Sequence, residues 1–221
     1  MEKTISIPSM LVIILEIDYD RYRVLDVNDV IGFITLFCNS YSLMHRQNQL
    51  SVMVHTPRDI HTIYPTESNR QINPFIPVYH TLSHQLTSHL HQILSDEIEQ
   101  QGNPSSSNSS NGDSSNRQFF LSKAFSKALC IINRQVQTFS LQPRILVFQF
   151  GKDRPISYNA LMNSIFSAQK LNVAIDALVV SKDDSHFMQV FRWIFRYVFS
   201  LPHTCSMNPY IPSYPLSTEF Q

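Results

Sequence analysis

The tightest constraint on the fold lies in Tyr158 to Val180, where a helical period gives way to a continuous apolar run inside one short segment. Leu161, Met162, Ile165, Phe166 and Ala168 recur at the spacing of one helix face. Val173 to Val180 is then apolar at both alternating positions except at Asp176, as in a strand covered on both sides. Strands of that kind belong to mostly parallel sheets, whose neighbours are joined by crossover helices. Asp176 is the exception to explain. An isolated carboxylate in such a strand is costly, so it is expected to find a hydrogen-bonding partner and to have a structural role.

The rest of the chain repeats the same alternation. Met10 to Ile17 reads as a central strand. Val27 to Met44 reads as a helix with Val30, Ile31, Ile34, Phe37, Cys38 and Tyr41 on one face and Asn28 as N-cap. Gln49 to His55 is a second strand, and the polar, proline-containing stretch Thr56 to Pro77 reads as a loop bordering a functional surface. Val78 to Glu99 is an amphipathic helix with a stripe of Leu82, Leu86, Leu90, Ile93, Leu94 and Ile98, ending at Gly102. From Asn103 to Asn116 the chain is nearly all Ser and Asn, too polar to offset the entropy of ordering, and is expected to be a disordered insertion at 103–116. Phe119 to Thr138 resumes as helix and Arg144 to Phe150 as buried strand. The order implies an α/β fold: a doubly wound, mostly parallel sheet flanked by helices, Rossmann-type in topology.

Composition excludes several classes of function. Formal net charge is zero and only 15% of the 221 residues are charged, so no global field draws the chain to nucleic acid or to a membrane surface. Cys38, Cys130 and Cys205 are odd in number and widely spaced, which suits a reducing compartment better than a disulfide framework. Phe187 to Phe199 is interrupted by Arg192 and Arg196 and falls short of the ~20 residues that span a bilayer. No basic run resembles a nuclear localisation signal. With four glycines, Gly32, Gly102, Gly112 and Gly151, the sequence has neither a P-loop nor a dinucleotide-binding turn, and it has no nucleophile elbow. A small enzyme of flavodoxin-like or hydrolase type is therefore poorly supported.

In doubly wound sheets ligands sit beyond the carboxyl ends of the strands. The first strand ends in Glu16, Asp18 and Asp20, three carboxylates at spacing two. They are the weak candidates for a divalent cation, which prefers oxygen ligands. The metal site of von Willebrand A domains carries Asp-x-Ser-x-Ser here, and this chain lacks its hydroxyls; the competing reading is a solvated acidic turn. Asp153, after the strand ending at Phe150, stands too late in its turn to supply the second acidic loop. His80 and His84 have a chelating i, i+4 spacing, yet with His89 and His91 they read better as a solvent-facing helix surface. Cys38 and Cys130, each within an amphipathic helix, read as packed thiols.

Met162 to Lys170, followed by Ile175 and Asp176, resembles the signature of TFIIH subunit four, the smaller of the two von Willebrand A-type subunits of the transcription and DNA-repair factor TFIIH. Leu11 to Leu15, Ile63 to Pro65 and Lys127 to Arg134 match further blocks of that family in order, together covering a domain of residues 9–189. The resemblance implies a von Willebrand A-like fold and a non-catalytic scaffold in transcription initiation by RNA polymerase II and nucleotide-excision repair. It implies a nuclear location, the other TFIIH core subunits as partners, chiefly the larger von Willebrand A subunit, and neither direct nucleic-acid binding nor a membrane. The alternative function is a divalent-metal-dependent ligand-binding von Willebrand A domain. Full-length relatives carry a C-terminal zinc module, for which only Cys205 follows Cys130 here, so no cofactor is expected. Residues 190–221 read as a divergent tail, with Val190 to Phe199 in place of the family's last strand as an amphipathic helix.

Overall fold

Strand β1 (Ser9–Glu16) is buried from Met10 onward and pairs in parallel with a strand on each side. The computed structural model describes residues 7–16, 27–56, 59–65, 73–77, 79–102, 121–149, 158–179 and 198–200. The insertion expected at 103–116, the acidic positions Asp18 and Asp20, and Asp153 lie outside these residues. So does nearly all of the helix expected over Val190 to Phe199, whose last two residues begin a strand.

The elements in chain order are β1, α1 (Val27–Met44), β2 (Gln49–His55), β3 (Ile60–Tyr64), α2 (Tyr79–Gly102), α3 (Leu121–Thr138), β4 (Gln142–Gln149), α4 (Tyr158–Lys170), β5 (Ala174–Val179) and β6 (Val198–Ser200). They form one six-stranded sheet in the order β3-β2-β1-β4-β5-β6. Every pairing is parallel except β2 with β3, which is antiparallel. This is the doubly wound, mostly parallel sheet expected from the alternation of elements.

Side-chain alternation along β1 divides the core between two helical layers. Met10, Val12 and Ile14 pack with α3 and α4, whereas Leu11, Ile13 and Leu15 pack with α1 and α2. Burial of one such side chain stabilises the fold by about 1.5–3 kcal/mol. The junction from α4 to β5 explains the abrupt change of period in the sequence. Asn172 adopts φ 52°, and the Val173 amide donates to the Ala168 carbonyl at 2.9 Å, which closes the helix end and turns the chain directly into β5.

Two expectations are corrected. The stretch from Thr56 to Pro77 contains β3, an edge strand with His61 and Thr62 exposed and Ile63 and Tyr64 buried. The Thr56 amide, just after β2, donates to the carbonyl of Asp59, just before β3, at 2.9 Å. Exposure in β3 divides along the strand and not between its faces, with His61 and Thr62 in solvent and Ile63 and Tyr64 buried, so no two-residue alternation marks it in the sequence. Asn28 is not the residue before the helix, since α1 starts at Val27 and Asn28 sits in its first turn.

Candidate functional site

The carboxyl ends of the three central strands carry a row of buried polar residues. Glu16 stands in register with His55 of β2 on one side and Gln149 of β4 on the other. All three are nearly inaccessible, at 6%, 3% and 2% exposure. They continue the alternating series that ends in Ile14, Met53 and Val147, so the two-residue period puts them on the α3 and α4 side of the sheet. Thr56, the residue after His55, is also buried, and its hydroxyl donates to the Asp59 carbonyl at 3.2 Å.

This arrangement changes the reading of Glu16. It is the last residue of a central strand, enclosed by its neighbours, and not part of a solvated acidic turn. The donor set around it is mixed: one carboxylate, one imidazole and one carboxamide. A hard divalent cation prefers a shell of oxygens. Among the described residues, no three His, Cys, Asp or Glu side chains converge as metal ligands would. The row is a buried polar layer at the carboxyl ends of the three strands, aligned by their register.

The opposite, amino-terminal edge of the sheet is closed by a compact network. The Tyr41 hydroxyl donates to the Ser9 carbonyl at 2.8 Å and lies 3.3 Å from the Gln49 carbonyl. Asn48 accepts from the Ser9 amide at 3.0 Å and donates to the Tyr41 carbonyl at 3.1 Å. Burial pushes the Tyr41 phenol up to about 12, opposed by its hydrogen bond with Ser9 and by the charge of Arg144. The phenol therefore remains a neutral donor tying α1 to β1 and β2.

The remaining candidates separate. Asp176 is half-buried and pairs with Arg144 of the adjacent strand at 3.3 Å, the partner that its place in β5 requires. His84 and His91 are exposed and His89 is half-buried, while the side chain of His80 lies outside the described residues. Cys38 is fully buried and its thiol is pushed up to about 12 by burial, which suppresses the thiolate a nucleophile needs. Cys130, expected to be packed, is instead exposed on the outer side of α3, because the inward positions there belong to Leu129 and Ile132.

The neighbours of Glu16 are not legible in the sequence, since His55 and Gln149 become adjacent only through strand register. The outer face of α1 is a second feature that only the structure brings out. Phe33, Leu36, Leu43 and Met44 are 54%, 67%, 71% and 79% exposed. The signal was the apolar letters left over once the inward face of the helix had been assigned. No helix of the described residues is long and apolar enough to cross a membrane.

The family blocks coincide with this scaffold. Tyr64 is buried and its hydroxyl donates to the Ile76 carbonyl at 3.0 Å, pinning the segment that runs beside β2. Ala128 and Ile132 of α3 and Ile165 and Ala168 of α4 fill the core beneath them. A family model described as transcription factor Tfb4 matches residues 8–199. The chain is 26% identical over 174 residues to the general transcription and DNA repair factor IIH subunit tfb4 of Schizosaccharomyces pombe, covering 76% of this chain and 56% of that relative. Its fold is similar to the crystal structure of the TFIIH p34 N-terminal domain, with a TM-score of 0.68 at 20% identity over 89% of this chain and 91% of the other. It is also similar to the SpRpn10 VWA domain, with a TM-score of 0.55 at 12% identity over 91% of each chain. The chain spans about half the length of the curated relatives it matches.

Proposed function

The chain belongs to the transcription factor Tfb4 family, and from that membership we propose that it is a non-catalytic scaffold subunit of the TFIIH core, acting in RNA polymerase II transcription initiation and nucleotide-excision repair. The observation that carries this reading is the match over residues 8–199, which takes in every described strand but the end of the last. Among the described residues, the matching blocks supply core packing. Scaffolding is the role such a module can perform: a rigid sheet whose helices and loops present surfaces to neighbours.

The partners under this reading are the other core subunits, chiefly the larger von Willebrand A subunit, and the location is the nucleus. Zero formal charge supports a chain that reaches DNA through its partners and not by its own field. The test is affinity purification of the tagged chain from cells of its own source. Co-purification of the TFIIH core subunits, the larger von Willebrand A subunit among them, is the expected result. Recovery of the chain without any of them would sink the proposal.

A further inference from the structure

Helix α1 is apolar on two sides. Its inward residues Ile31, Ile34 and Cys38 fill the core, and four of the eight large apolar side chains exposed among the described residues lie on its other side. Phe33, Leu36, Leu43 and Met44 recur at spacings of three, seven and one, so with Ser40 between them they form one stripe. The stripe is about 16 Å long, or three helical turns. Phe33, at one end of the stripe, also meets the buried Phe148 ring edge-on at 6.3 Å, whereas Leu36, Leu43 and Met44 contribute little burial to the fold, and an apolar patch of this kind on a protein surface marks an interaction site.

Charge then restricts the occupant. No residue from Val30 to Met44 is ionisable at neutral pH, and the stripe is bracketed by exposed Asp29 in the first turn and exposed Arg46 just past the helix end. A helix laid antiparallel on α1 brings its carboxyl end to Asp29 and its amino end to Arg46. Helices favour cations in the last turn and anions in the first. An ordinary amphipathic helix therefore satisfies both ends of the stripe at once.

A second copy of this chain offers the same two charges but too little surface. The four exposed side chains amount to roughly 500 Å², so a self-pair with the stripe as its whole contact buries about 1,000 Å², below the ~1,200 Å² of a stable interface. A helix that belongs to a subunit held by additional contacts does not meet this limit. We propose that the outer stripe of α1 is the docking surface for an antiparallel amphipathic helix of a TFIIH partner subunit, with an apolar stripe about three turns long, an acidic first turn and a basic last turn. This rests on the assignment of the chain to the TFIIH core.

The experiment is the same affinity purification with three further forms of the full chain. They are Leu36→Glu alone, Leu36→Glu combined with Leu43→Glu, and Phe166→Glu, which alters an exposed apolar residue on α4 and serves as the control. With thermal unfolding unchanged, recovery of the core subunits falls at least about tenfold for the double variant and less for Leu36→Glu, while Phe166→Glu behaves as wild type. Full recovery with the double variant would overturn the α1 surface and leave the subunit assignment intact, whereas wild-type chain that recovers no subunits removes both. A photo-crosslinker at exposed Ser40 identifies the occupant. A crosslink to a partner segment with an apolar three-to-four-residue period supports the proposal. A crosslink to another copy of this chain, or to another part of the same chain, overturns it.

Discussion

Helices α1 and α3 have the same length and opposite finishes. Each buries one face against the sheet, α1 through Ile31, Ile34 and Cys38 and α3 through Phe125, Ala128 and Ile132. The outward face of α3 is polar, with Lys123, Ser126, Lys127 and Arg134 in solvent. The Lys127 ammonium donates to the Ile60 carbonyl at 3.2 Å, using its charge within the chain. The outward face of α1 has no such finish. One helix turns a polar face to solvent, and the other, under the docking proposal, keeps an apolar face for a partner. The comparison separates residues that make the domain from residues that connect it.

The largest effect is expected from emptying the finished side. Phe125→Ala removes a fully buried ring and should cost about 3–5 kcal/mol, read as a lower urea midpoint with unchanged slope. If α3 packs as described, no substitution on its outer face should come near this figure.

Next in size is the network that holds α1 to the amino edge of the sheet. Tyr41→Phe removes the donor to the Ser9 carbonyl and should cost about 1–2 kcal/mol in urea unfolding, while Asn48→Ala, which leaves the Ser9 amide without its acceptor, should cost about 1–3 kcal/mol. A negligible loss from both would show that α1 is held by apolar contact alone.

Alkali probes the same helix from inside. Cys38 is raised from 9.0 to about 12 and Tyr41 from 10.0 to about 12, both chiefly by burial. Each group stays neutral in the folded chain while the unfolded chain ionises, so their contribution is complete below pH ~9 and is lost as pH rises toward ~12. The urea midpoint should hold steady to pH 8.5 and fall above it, and the double variant Cys38→Ala, Tyr41→Phe should lose part of that slope.

The smallest effects belong to the surface. Arg144→Ala should cost no more than about 1 kcal/mol, because its ion pair with Asp176 is well exposed on the arginine side. Leu36→Glu should change stability by about 0.5 kcal/mol or less, as suits a side chain outside the core.

Much of the architecture could be read from the sequence because it is local. The bounds of α1 and β2 follow from periodicity, and the α4 to β5 junction follows from a period change closed by Asn172. β3 escaped because an edge strand of five residues exposes half its side chains, and its decisive contact, Tyr64 to Ile76, lies in the loop after it. β4 begins at Gln142, earlier than its apolar run, because the Gln142 amide donates to the Pro8 carbonyl. The polar row was illegible for a different reason. Glu16 carries no mark of its neighbours, which are set by the register of β1 with β2 and β4. Phe33, Leu36, Leu43 and Met44 were in plain view, but an apolar residue in a helix is ordinarily assigned to the core, and only the packing of the sheet shows which side is already full.

Backbone hydrogen exchange, compared between the isolated chain and the chain within its purified TFIIH core assembly, tests the distinction between the two helices most directly. The account predicts slower exchange in the assembly along residues 33–44 of α1, with the outer residues of α3 unchanged. Slowing along α3 with α1 unchanged would contradict it.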